Sequence, residues 1–136
     1  RWMPPKKSVM TGKPTAPTFT RTYTNKKGRK LSVQLAISFV SKGLKRLRIV
    51  EPLPEGYTIG QERLKLIAKK HNLMHISLHQ RNLHMELITS NTSFQLLYPL
   101  KRTKATNNKG QIIHPLGTLW LQRRGTIQQI AMRPMK

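Results

Sequence analysis

The sequence predicts an α+β fold: a small strand-strand-helix-strand-strand body over residues 31–100, flanked by extended basic arms at 1–30 and 101–136. Three observations carry this. Leu31, Val33, Leu35, Ile37 and Phe39 alternate unbroken with Ser32, Gln34, Ala36 and Ser38; one apolar helical stripe is followed by helix-stop signals; and Lys and Arg crowd the two ends, where acids are missing.

The alternation over Leu31–Phe39 has the period of a half-buried strand. Leu35, Ala36, Phe39 and Val40 also share a helical face, but nine unbroken alternating residues favour the strand. Ser41, Lys42 and Gly43 then make a turn, and Leu47–Val50 reads as a second strand with Arg46 and Arg48 on its other face. A helix is expected from about Gly60 to His71. Thr58 and Gln61 have the spacing of a capping box, and Leu64, Ile67 and Ala68 form the buried stripe. Lys69, Lys70 and His71 suit the carbonyl end of the dipole, and Asn72 suits a left-handed stop. Leu73–Leu78 and Leu83–Ile88, separated by His79–Asn82, read as a hairpin, and Phe94–Leu100 as a further strand.

Residues 1–30 hold Pro4, Pro5, Pro14 and Pro17 among Thr, Ser and Lys, which resists helix and central strand alike and reads as an extended arm. The same prolines oppose a helical mitochondrial presequence. With Arg1 in place of an initiator Met, the expectation is that any presequence has been removed. In the C-terminal arm, Thr118–Gln122 alternates around Trp120 as a short edge strand or a docking segment.

The chain carries 26 Lys and Arg against four Glu and no Asp, for a formal net charge of +22. Such a charge repels itself and favours a polyanionic partner. Nine cations lie in residues 1–30 and eight in 101–136, both without an acid; 31–100 has a balance of only +5. Nucleic acid is therefore expected, bound largely through phosphates and sensitive to salt.

Leu47–Phe94 resembles the N-terminal domain of bacterial translation initiation factor three. The likeness lies in a short strand at Arg48, Ile49 and Val50, an acid-containing turn over Glu51–Gly56, a helix with Leu64-Lys65-Leu66-Ile67-Ala68, and a strand at Leu73–Leu78. It covers about a third of the chain, and no long charged linker helix or second RNA-binding domain follows. More broadly, the small body between acid-free basic arms resembles ribosomal proteins, those of mitochondrial ribosomes in particular. That resemblance implies a structural constituent of the ribosome, with the body seated on ribosomal RNA beside neighbouring ribosomal proteins. The other readings are a ribosome-associated initiation or assembly factor, another RNA- or DNA-binding protein, and a cytoplasmic or plastid ribosome.

The residues expected to contact RNA are Lys6, Lys7, Lys13, Arg21, Tyr23, Lys26, Lys27, Arg29 and Lys30 in the first arm. Lys42, Lys45, Arg46 and Arg48 follow in the body, and Lys101, Arg102, Lys104, Arg123 and Arg124 in the second arm. Clustered cations position phosphates, and Arg planes stack on bases. Tyr23 and Trp2 are the aromatic residues placed for stacking, whereas Phe39, Phe94, Tyr98 and Trp120 are expected to be buried. His71, His75 and His79 would share a face on one continuous helix, but a strand after Asn72 separates them. They and His84 are read as polar RNA contacts, with no metal and no cofactor.

No enzyme is expected. Four scattered Glu supply neither a cation-holding cluster nor an acid pair, and Glu51 and Glu55 flank prolines in a turn. No glycine-rich phosphate loop or Ser/His/Asp set is recognisable, so no small-molecule substrate is implied. There is no cysteine for a disulfide or thiolate, and no apolar run of membrane-spanning length. A DNA-compacting protein would need a dimer or long basic helices, and a membrane-active one a stronger amphipathic helix.

Overall fold

The computed structural model describes residues 16–26, 30–103 and 111–134. Trp2, Lys6, Lys7, Lys13, Lys27, Arg29 and Lys104 lie outside the described residues, as does the side chain of Lys26. In chain order the elements are β1 (Thr18–Lys26), β2 (Lys30–Ser38), β3 (Lys45–Pro52), β4 (Tyr57–Thr58), α1 (Glu62–His71), β5 (His75–His79), β6 (Asn82–Thr89), β7 (Ser93–Arg102), β8 (Gly117–Arg123) and β9 (Thr126–Met132). They make an α+β fold in which sheet predominates.

Two antiparallel sheets have the orders β1-β2-β7-β4 and β5-β6-β3-β8-β9. Alternation turns one face of each sheet inward. Leu31, Val33, Leu35 and Ile37 of β2 meet Leu96, Tyr98 and Leu100 of β7 on one side; Leu47 and Ile49 of β3 lie with Leu83, Met85 and Leu119 on the other. All belong to one continuous buried core, so the sheets form a sandwich. Helix α1 packs on β5 and β7, one strand from each sheet, with Leu64 and Ile67 buried. It is not long or apolar enough to cross a membrane.

The helix differs from expectation at its start. Thr58 is spent in β4 pairing with Lys101, and Gln61 takes the N-cap position in helical geometry without a side-chain cap bond. Arg63 N–H to Gly60 O and Leu64 N–H to Gln61 O tighten the first turn in place of a capping box. The stop is as expected: Asn72 sits in the left-handed region at φ 56°.

Strand pairing extends on both sides of the body expected over residues 31–100. β1 pairs along its whole length with β2, and Phe19 enters the core, so residues 18–26 belong to the body. At the other end there are two strands, and β8 lies inside the second sheet between β3 and β9, not at its edge. Both segments are extended, as a basic arm would be, but main-chain pairing and an inward apolar row make them structural.

Candidate nucleic-acid interface

Two groups of polar side chains stand out, one sealed between the sheets and one spread over an outer face. The sealed group is centred on Glu51. Expected in a turn, it lies near the end of β3 on the inward side and is 0% exposed. Arg21 of β1 donates from Nε to Oε2 at 3.0 Å and from Nη2 to Oε1 at 2.6 Å, and Tyr98 of β7 donates to Oε2 at 2.8 Å. His114 Nε2 stands 3.6 Å from the same oxygen.

His114 Nε2 lies 2.7 Å from Pro52 O, and its Nδ1 lies 2.6 Å from the Tyr23 hydroxyl. A neutral ring satisfies both contacts when Nε2–H donates to the carbonyl and Tyr23 donates to Nδ1. Burial pushes the His114 pKa down against the opposing pull of Glu51. Burial likewise raises Tyr98 well above the ordinary tyrosine value, reinforced by Glu51. Burial works against the Arg21 charge, but the hydrogen bond and charge of Glu51 more than offset it and leave the guanidinium pKa raised. Among the described residues, no buried side-chain polar atom lacks a partner. This cluster clamps sheet to sheet. Its His and Glu come together in space, but with only 5% and 0% of their side chains exposed.

Lys45 is the second interior cation, 1% exposed. Its ammonium donates to Gly43 O at 2.9 Å and Asn91 O at 2.8 Å, and lies 4.9 Å from the Phe39 ring centre. It closes the loop between β2 and β3 onto the β6–β7 turn.

The outer face of the five-stranded sheet carries the accessible chemistry. Antiparallel register places His75, Glu86, Arg48 and Trp120 as successive cross-strand neighbours on β5, β6, β3 and β8. The Arg48 guanidinium lies over the Trp120 ring, 5.5 Å from its centre. His79 and His84 form an edge-to-face pair with ring centres 6.3 Å apart. Arg46 pairs with Glu86 from Nη2 at 2.6 Å and from Nε at 2.9 Å, both on Oε2. Between these side chains runs an open concavity of about 560 Å³, lined by Arg48, His75, Ser77, His79, His84 and Glu86 among others.

The remaining expected contacts divide cleanly. Lys30, Lys42, Arg46, Arg48, Lys101, Arg102, Arg123 and Arg124 are exposed, and Lys30 and Lys101 face each other across β2 and β7. Like charges directly opposite repel, which an anion would relieve. Arg21 and Lys45, expected to face RNA, instead point inward and are bound to protein partners, so neither is presented to a phosphate. Tyr23 is also turned inward, onto His114. Trp120, expected to be buried, is only partly covered and shares the outer face with the histidines. Its alternation with Leu119 and Leu121 was visible in the sequence, but which of the two faces was apolar enough to be the core was not.

No family model and no curated protein matches the chain. Similar solved structures include a GH20 exo-β-N-acetylglucosaminidase from Vibrio harveyi in complex with N-acetylglucosamine, with TM-score 0.52, and an inactive mutant of that enzyme, with TM-score 0.53. Each is 5% identical over 88% of this chain and only 18% of the enzyme chain. The chain thus spans under a fifth of the enzyme's length. At this identity the likeness is one of fold alone.

Proposed function

We propose that this protein is a structural constituent of the ribosome that binds ribosomal RNA and has no catalytic role of its own, with the mitochondrial ribosome as its place of residence. One observation carries the reading: 26 cations face four acids, and two of those acids are already paired within the fold, Glu51 with Arg21 and Glu86 with Arg46. The charge presented outward is overwhelmingly positive. With roughly 6–10 phosphate contacts, affinity would fall by about 10³ to 10⁵ between 50 and 200 mM salt. The opposed Lys30 and Lys101 and the exposed Arg123–Arg124 pair supply such contacts. Mitochondrial residence rests on the acid-poor ends and on the resemblance to ribosomal proteins of that organelle.

The resemblance to the initiation-factor domain supports a second reading, a factor that visits the ribosome during initiation or assembly. Sedimentation of an organelle lysate on a sucrose gradient after a high-salt wash separates the two. An integral protein stays with one ribosomal subunit; a visiting factor moves to the top of the gradient. Absence from ribosomes even at low salt would overturn both.

A further inference from the structure

We propose that the outer face of the five-stranded sheet is a platform for unpaired RNA, with Trp120 and the His79–His84 pair stacking on bases, Arg48 and Arg46 holding phosphates, and Glu86 reading a base N–H. The inference rests on the RNA reading above and specifies which RNA and which surface.

The two outer faces of the sandwich differ in kind. That of the four-stranded sheet presents Thr18, Thr20, Thr22 and Thr24 beside Ser32 and Gln34, a row of small hydroxyls and amides, with the opposed Lys30 and Lys101 at one end. The opposite face gathers three imidazoles, an indole and two guanidiniums. Side chains with a flat π-face are what single strands bind, because every unpaired base offers a π-face of its own. A duplex hides its bases and offers shape and phosphates instead.

Placement supports the same occupant. Neighbouring strands lie about 4.8 Å apart, so the row from His75 to Trp120 crosses roughly 14 Å of sheet, wide enough for bases laid side by side. The concavity of about 560 Å³ lies within the row. The Arg48 guanidinium already lies over the indole, 5.5 Å from its centre. Glu86 is the only acid among the side chains of this row, and both bonds from Arg46 fall on Oε2. Oε1 remains to accept from a base amino group, the pairing carboxylates make with cytosine N4. Arg123 and Arg124, exposed at the β8–β9 turn, extend the positive charge past the end of Trp120's strand.

The test uses the full chain with Trp2→Phe, which leaves Trp120 as the sole tryptophan. It is titrated with a short mixed-sequence single-stranded RNA and with the same RNA annealed to its complement. The expected result is quenching of Trp120 fluorescence by the single strand and not by the duplex. With binding read by the anisotropy of a dye-labelled strand, Trp120→Ala should weaken single-strand binding about 5- to 150-fold at unchanged salt slope, while Trp120→Phe retains most of the affinity. Arg48→Ala should lower both the affinity and the slope. Circular dichroism of each variant establishes that the sandwich is intact.

Unchanged single-strand affinity in folded Trp120→Ala, with RNA binding otherwise preserved, would overturn the platform and leave the RNA reading standing. So would a variant that keeps this affinity but loses its place on the ribosome, since the face would then dock a protein. Failure of the unaltered chain to bind either RNA at low salt would overturn the RNA reading and the platform with it.

Discussion

Arg21 of β1 holds Glu51 of β3 through two hydrogen bonds, one to each carboxylate oxygen, and so joins the two sheets from inside. Both side chains are nearly inaccessible, at 3% and 0% exposure. Desolvating such a pair costs several kcal/mol per ion, and only full partnering recovers it. Removing one partner should therefore hurt far more than removing both. Arg21→Met alone is expected to destabilise by about 3–5 kcal/mol, and Arg21→Met with Glu51→Leu by less than the sum of the two single changes. Urea denaturation of the four proteins at neutral pH checks this; additive losses would contradict it.

Stability should fall on the acid side of neutrality. His114 and His71 are both shifted below the ordinary histidine value of about 6.5, in each case mainly by burial. A histidine with a lowered folded pKa binds fewer protons folded than unfolded, so its stabilisation is complete above about 6.5 and is lost as pH falls through the folded value. The groups facing His114 are Glu51, Arg21 and Tyr23, and none removes the need for a neutral ring between Tyr23 and Pro52. The urea midpoint should drop between about pH 7.5 and 5.5, and His114→Gln should flatten that dependence. A midpoint independent of pH over this range would contradict the assignment.

Lys45 separates structural from RNA-facing cations. Lys45→Met forfeits two charge-assisted bonds to carbonyls and is expected to cost about 1–3 kcal/mol of stability. The salt slope of RNA binding should not move. Arg123→Ala and Arg124→Ala should do the reverse, each lowering the slope by up to about 1 with little change in unfolding. Denaturation and salt-dependent binding measured on the same variants decide between the roles.

Gly117 opens β8 with no room for a side chain. A Cβ there would stand 2.5 Å from Val50 O and from Met132 Cε, and 3.2 Å from Glu51 Oε1. The methionine can move, but the strand carbonyl cannot. Gly117→Ala is therefore expected to cost about 1–3 kcal/mol, read as a fall in urea midpoint. By contrast Gly43→Ala, with open space around its Cβ, should be close to neutral.

β2, β3, β6 and β7 were legible because each buries one apolar row, and an alternating row is visible without knowledge of its partners; β4, two half-buried residues long, offers no such row. β1 was harder to see for a physical reason. Its inward row is Phe19, Arg21 and Tyr23, and an inward arginine looks like a surface residue until Glu51, thirty positions away, is known to meet it. Its strand signal is β-branched Thr at every second position from 18 to 24. β9 was hidden differently. Ile127, Ile130 and Met132 do not alternate cleanly, and the turn before it uses Arg124 and Gly125, both at positive φ, where an asparagine would have advertised a hairpin.

The outer-face row was out of reach of the sequence altogether. His75, Glu86, Arg48 and Trp120 come from four separate strands, and their alignment depends on the order β5-β6-β3-β8. The histidines drew attention as a cluster in sequence, but only the register shows that three of them share a face with Trp120 while His71 turns to the backbone of Leu97.

Crosslinking in living cells tests the ribosomal proposal most directly. The tagged full chain is crosslinked to RNA by ultraviolet light, purified under denaturing conditions, and the attached RNA sequenced. Reads concentrated on ribosomal RNA of one subunit, at sites unpaired in the assembled particle, are the expected result. Reads spread across messenger and transfer RNAs without ribosomal enrichment, or no RNA recovered above background, would contradict it.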